Sequence, residues 1–359
     1  MYFSGERLRV ARQRRKMTGK QLAKKAKLTP VTVSKAENGH QIQLDTANSL
    51  AEALCYPLEF FYMDDPDVIS VNTVSFRSLA KMGAADRDAS LAAGSLGVAL
   101  YDWVDERFHL PKPDLIDLSK ERERPESAAR LLRQHWGLGD RPIGNFLSLL
   151  ESKGVRVLSL SENTLDVDAY SFWRSDRPYV FLNQQKTPER SIFDCAHELG
   201  HLVMHHHAGA KGDRGAEHQA DAFASAFLMP EADIKSEARS VESVRQVLRL
   251  KKRWRVSAMA LVFRLHKLGM ITEWTYKSMC IELGQLGYRR GEPNGIDRET
   301  SVVWQKVLTA LWSKKITKND IAKELRIPLS ELEALIFGLA SPRSSSLGDG
   351  VGAALRAVQ

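Results

Sequence analysis

Two histidines four residues apart, His197 and His201, flank Glu198 inside the apolar run Phe193-Asp194-Cys195-Ala196-His197-Glu198-Leu199-Gly200-His201-Leu202-Val203-Met204-His205. Such a run reads as a helix, and four residues advance a helix by about 400°, so both imidazoles stand on one face. Paired imidazole nitrogens suit Zn²⁺, and a carboxylate beside them is placed to take a proton from water; this is a hydrolytic site in outline. Catalytic zinc keeps three protein ligands and an open position, so a third ligand is required. His207 has the separation of the H-E-x-x-H-x-x-G-x-x-H pattern, but Met204 stands where that pattern needs its glycine turn. Glu217 opens Glu217-His218-Gln219-Ala220-Asp221-Ala222-Phe223-Ala224-Ser225-Ala226-Phe227-Leu228-Met229-Pro230, which reads as a second amphipathic helix stopped by Pro230. Glu217 and Asp221 share a face there, so one can bind the ion while the other accepts a hydrogen bond from a ligating imidazole. That geometry favours Glu217 over His207.

These residues resemble the ImmA/IrrE family of metallo-endopeptidases: His197-Glu198-Leu199-Gly200-His201, then Glu217 with Ala220-Asp221-Ala222-Phe223-Ala224 and Leu228-Met229-Pro230. Asp221 stands where the family usually has Asn, and an Asp still accepts the bond. The likeness reaches back through Ala169-Tyr170-Ser171-Phe172-Trp173, Pro178-Tyr179-Val180-Phe181-Leu182-Asn183 and Glu189-Arg190. It implies zinc held by His197, His201 and Glu217, with Glu198 as catalytic base. It also implies one specific regulatory protein as substrate, often a helix-turn-helix repressor, cleaved in stress or mobile-element induction.

The elements that must position this site are mainly helical with a small β-sheet, an α+β arrangement of zincin-like type expected over residues 125–235. Residues 126–136 and 142–151 read as helices, while 155–160, 168–173 and 178–183 read as strands, the last two joined by an Arg174-Ser175-Asp176-Arg177 turn. An edge strand of that sheet can hold an extended peptide by main-chain pairing. Tyr170, Tyr179, His205 and His218 are candidates to hydrogen-bond the transition-state oxyanion.

The first 40 residues carry eleven Lys and Arg against two Glu, whereas the whole chain is +8, so the rest is near neutral. A surplus confined to one small segment suggests a polyanionic partner for it. Short helices over 4–16, 19–27 and 30–37, a Thr29-Pro30 start to the third and an Asn38-Gly39 stop describe a helix-turn-helix unit. Gln21-Leu22-Ala23, Thr32-Val33-Ser34-Lys35-Ala36-Glu37-Asn38-Gly39 and Leu50-Ala51-Glu52-Ala53-Leu54 resemble the Xre/Cro-type repressor domain. That resemblance implies a phosphate contact from Gln21, major-groove contacts from Pro30, Val31, Thr32 and Lys35, and a homodimer on paired half-sites of an operator in double-stranded DNA.

Between these units, residues 67–124 read as a helical connector or dimerisation helix, and Val74-Ser75-Phe76-Arg77-Ser78-Leu79 resembles a segment common in fused repressor-peptidase proteins. Residues 236–340 read as a helical C-terminal region with faint helix-turn-helix spacing, and 341–359, rich in Ser and Gly, as a disordered tail. At 43% hydrophobic and 27% charged, no apolar run reaches the ~20 residues of a membrane helix, and the start lacks a secretory pattern. Cys55, Cys195 and Cys280 are isolated, which excludes a disulfide framework and a thiolate zinc site. The expectation is a cytoplasmic DNA-binding regulator carrying a zinc endopeptidase that cuts a repressor or itself. The alternative is a regulator or antitoxin whose zinc domain is a non-proteolytic sensor or partner-binding module.

Overall fold

The computed structural model of the chain describes residues 2–70, 74, 82–160, 169–205 and 214–340; His207, residues 75–79 and the 341–359 tail lie outside them. The amino-terminal unit is built from α1 (Gly5–Arg14), α2 (Gly19–Lys25), α3 (Pro30–Glu37), α4 (Leu44–Leu54) and a short 3₁₀ turn, Leu58–Tyr62. Each of the first three helices starts where a hydroxyl satisfies a free backbone N–H: Ser4 accepts from Arg7, Thr18 from Gln21 and Thr29 from Thr32. Leu8, Leu22, Val33, Leu50 and Phe60 then close a small core between them.

Much of the positive charge at this end is engaged inside the molecule. Arg12 pairs with Glu37 at 2.5 Å, Lys16 with Asp86 at 2.7 Å, and Arg14 and Arg15 both with Glu331 near the other end of the chain, at 2.8 and 2.6 Å. Lys20, Lys24, Lys25, Lys27 and Lys35 are exposed on or beside α2 and α3, with no acidic partner among the described residues. The surplus read from sequence as one patch is therefore divided between holding the amino-terminal unit in place and five outward lysines.

α5 (Ala84–Asp105) lies within the stretch read as a connector, and its residues 89–98 are buried without a break. It packs against α1 on one side and the sheet on the other. Gly97 permits that approach, since a Cβ there would lie 2.4 Å from Leu158 and 2.7 Å from Phe181. After α6 (Pro125–His135) and α7 (Phe146–Ser152), the sheet has β3 (Arg177–Asn183) in the middle, parallel to β1 (Arg156–Leu160) and antiparallel to β2 (Ala169–Arg174). Strand alternation sends Tyr170 and Phe172 to one face and Ser171 to the other. Tyr170, Phe172, Tyr179 and Phe181 stack on the α5 side, and Ser171 faces α8 (Pro188–Met204). Val74 forms an antiparallel bridge with Phe172, so the outer edge of β2, one of the two edge strands, is met there by the chain itself.

α9 (Arg214–Leu228) lies against α8 and α6. The chain continues through α10 (Glu231–Glu237), α11 (Val244–Trp254), α12 (Ala258–Lys267), α13 (Glu273–Gln285), α14 (Val302–Ser313), α15 (Lys318–Glu324) and α16 (Leu329–Ile336). The architecture is thus mainly helical around a three-stranded sheet, as the sequence led us to expect. Glu151, at the end of α7, accepts hydrogen bonds from the hydroxyl of Ser301 and the N–H groups of Val302 and Val303, capping α14. Burial nevertheless pushes its pKa up from 4.5 to about 7. The folded state then holds this proton more tightly than the unfolded chain, so the associated stability is full below pH 4.5 and lost as pH rises to about 7. Between those limits Glu151→Gln is expected to remove a loss of roughly 3 kcal/mol, read from urea unfolding at the two pH values; equal slopes in both proteins would reject it.

Candidate metal centre

The helix carrying the H-E-x-x-H residues begins with Thr187, whose hydroxyl accepts from the Arg190 N–H, followed by Pro188 in the first helical position. Further along, its inner face presents His197 and His201, with their Nε2 atoms 3.0 Å apart. Glu217, from α9, places Oε2 3.4 Å from His197 Nε2 and Oε1 3.5 Å from His201 Nε2. Ligands about 2.1 Å from one tetrahedral ion stand about 3.4 Å from each other, so the three donors fit a single Zn²⁺. Gly200 lets the two helices approach closely: a Cβ there would come within 3.0 Å of the Phe223 ring and 3.4 Å of Ala220. The His, His, Glu set is the zinc-type donor chemistry expected from sequence, and among the described residues no other such cluster occurs.

Each imidazole is held from behind. His197 Nδ1 meets Asp221 Oδ1 at 2.8 Å, which leaves Nε2 for the ion. His201 Nδ1 meets His205 Nδ1 at 3.1 Å, and His205 Nε2 meets Gln219 Oε1 at 2.9 Å, with Gln219 donating onward to Glu123. Gln219 Oε1 can only accept, so His205 donates from Nε2 and receives the His201 proton at Nδ1. Burial lowers the His205 pKa, consistent with a neutral ring able to accept. His205, expected to face the oxyanion, therefore stands behind a ligand position instead. Burial disfavours charge on His197, but hydrogen bonds to Asp221 and Glu217 outweigh it and raise its pKa to about 10. Glu217, despite its burial, is held well below the usual carboxylate range by hydrogen bonds to the two imidazoles. An ion entering here displaces the His197 proton, so metal affinity rises with pH through neutrality. Asp221→Ala and His205→Ala are each expected to weaken zinc binding by about 10- to 100-fold in a chelator competition; unchanged affinity would remove both from this role.

Glu198 is buried, and its Oε2 accepts the Ser171 hydroxyl at 2.6 Å, fixing the carboxylate from the sheet. Tyr170 and Tyr179 do not take part: strand parity turns both to the α5 side, where Tyr170 donates to the Ser90 carbonyl at 2.8 Å and Tyr179 stacks on Phe172. Of the four groups considered for the oxyanion, His218 alone lines the cleft above the metal residues. That cleft has a volume of about 780 Å³, with His197, Glu198, Glu217 and Asp221 on one wall. Two polar residues here escaped the sequence reading. Asp194, one turn before Glu198 and 3.3 Å from Arg190, has its pKa pushed up by burial to about 6; only the four-residue spacing could have marked it. Ser171 carried no signal at all, because its partner lies 27 residues away.

In the amino-terminal unit, Gln21, Pro30, Val31 and Lys35 are exposed and Thr32 is half-exposed, with Val31 63% accessible. The Gln21 side-chain Oε1 accepts the Thr18 N–H at 2.8 Å, so it also closes the capping box of α2.

Residues 150–266 match the family model described as Peptidase_M78, IrrE N-terminal-like domain, and residues 8–61 match that described as helix-turn-helix. No curated protein matches the chain. Both matches fall on the units that carry the two sets of residues above. The chain thus joins an Xre-type helix-turn-helix DNA-binding domain to an IrrE N-terminal-like domain of metallopeptidase type.

Proposed function

We propose that this chain is a DNA-binding transcription regulator whose second domain is a zinc endopeptidase that cuts one specific regulatory protein, a repressor or the chain itself. The observation that carries the reading is the meeting of His197, Glu198 and Glu217 on the wall of a cleft large enough for a peptide, with His201 completing the donor cluster behind them. Zinc bound there would polarise the scissile carbonyl and lower the pKa of water toward about 7. His197, His201 and Glu217 would hold the ion, while Asp221 and His205 keep the two rings in the tautomers that leave Nε2 free. Glu198, fixed by Ser171, takes a proton from the attacking water and delivers it to the leaving amine.

The same reading places α3 in the major groove, with Pro30, Val31, Thr32 and Lys35 toward base edges and Gln21 with the α2 lysines toward phosphates. Their exposure supports it. A homodimer would present two such helices to paired half-sites of an operator, in the cytoplasm where that DNA lies; no helix among the described residues is long and apolar enough to cross a membrane. The deciding experiment compares cells carrying wild type and Glu198→Gln under inducing stress, with protein fragments followed by mass spectrometry. Fragments that depend on Glu198 are expected. Identical fragment sets would favour the sensor or antitoxin alternative.

A further inference from the structure

The cleft has a second wall that the metal residues do not explain. α12 shows Ala258, Leu261, Val262 and Leu265 to the protein interior, and Met259, Ala260, Phe263 and Lys267 outward into the cleft. Phe263 is 44% exposed although it is a large apolar side chain, an arrangement that costs free energy unless something covers it. Phe193, which shares the His197 face of α8, and Ala222 line the opposite side. These apolar side chains and the metal residues thus line one cleft. The cleft lining mixes carboxylates with three Arg and Lys side chains, two of which are already paired: Arg190 with Asp194 at 3.3 Å and Arg264 with Glu126 at 2.9 Å. Lys267 has no carboxylate partner among the described residues, and its ammonium lies 5.7 Å from the centre of the Phe263 ring.

We propose that α12 is the specificity wall of the cleft: Phe263 and Met259 receive a bulky apolar side chain of an extended peptide, and Lys267 receives a carboxylate carried two residues along. The spacing follows from geometry. Phe263 and Lys267 are one helical turn apart, a rise of about 6 Å, and alternate side chains on one side of an extended chain are separated by about 6.6 Å. Residues adjacent in the peptide would point to opposite sides and could not use both groups. The inference deepens the peptidase reading and rests on it for what the bound peptide is there to undergo, though not for binding itself.

The test uses zinc-loaded Glu198→Gln protein, in which binding is read without turnover, and dansylated octapeptide amides with Leu-Ser-Asp, Ser-Ser-Asp, Leu-Ser-Lys or Ser-Ser-Lys in a Gly-Ser background, each also in reversed order. Fluorescence anisotropy should show the peptide with both Leu and Asp binding about tenfold more tightly than those lacking either. Phe263→Ser should abolish the preference for Leu, and Lys267→Glu should turn the preference for Asp into one for Lys; both positions are exposed, and retained zinc content checks that the variants fold. Equal binding of all peptides, no binding at millimolar concentration, or preferences indifferent to both substitutions would overturn the proposal. The Leu-Ser-Lys peptide as a free acid carries its carboxylate only at the terminus, and its binding as well as the Leu-Ser-Asp amide would overturn the assignment to a side chain. Selective binding combined with no cleavage by wild type would leave the wall standing and remove the peptidase reading, whereas cleavage without selectivity would do the reverse.

Discussion

Glu198→Gln is expected to retain zinc at wild-type stoichiometry and to lose about 10²- to 10⁴-fold in peptide hydrolysis, the usual contribution of a positioned general base. The substitution keeps the shape of the side chain, and the amide oxygen can still accept from Ser171, so the local fold is preserved. What disappears is the capacity to take a proton. His197→Ala should behave differently, losing the ion along with the activity, because Nε2 of that ring stands 3.0 and 3.4 Å from the other two donors. Metal content and turnover measured together on both variants separate a base from a ligand. Turnover within a few-fold of wild type in Glu198→Gln would show that the proton goes elsewhere, and Asp194, buried one turn away in the same cleft, would be the next residue to replace.

The second large effect is on stability. Lys251 is buried between Glu189 and Glu292, its ammonium 2.9 Å from each, with side-chain exposures of 1%, 0% and 3%. Burial acts against the ammonium charge, but hydrogen bonds to both carboxylates outweigh it and hold its pKa above the usual value. Glu189 sits in the first turn of α8 and also accepts the Ile296 N–H, while Glu292 accepts that of Ala258 at the start of α12. This triad therefore joins the metal helix to the opposite wall of the cleft. Lys251→Met leaves two carboxylates facing each other without water or cation, and is expected to cost about 3–5 kcal/mol in unfolding free energy. Protonating them relieves the strain, so the deficit should shrink as pH falls. A triple variant adding Glu189→Leu and Glu292→Leu should recover much of the loss, since the charges rather than the volume are at fault. A single Lys251→Met protein as stable as wild type would mean that water reaches the triad.

Much of the centre was legible in advance because its signals are local. The four-residue spacing of His197 and His201 is a property of any helix, Pro230 marks where the Glu217 helix ends, and the Arg174-Arg177 turn follows from strand pattern and turn chemistry. The same holds for the capped helices of the amino-terminal unit. Where the reading went astray, a residue's surroundings were decided at long range. Tyr170 was legible as a strand residue near the site but not as one whose face belonged to α5. His205 was legible as one helical turn beyond His201, yet whether it pointed into the cleft or behind the ring depended on Gln219 of another helix.

From the chain alone came the candidate donor set, the proposed base, the two domain types and the mixed helical class, because residue types at fixed short spacing act through the periods of helix and strand. Packing alone decided that α8 and α9 approach closely at Gly200, that Ser171 fixes Glu198, that α5 is core, and that α12 closes the cleft. Those contacts join segments tens to hundreds of residues apart, and no periodicity in sequence encodes which faces will meet once apolar surface is withdrawn from water.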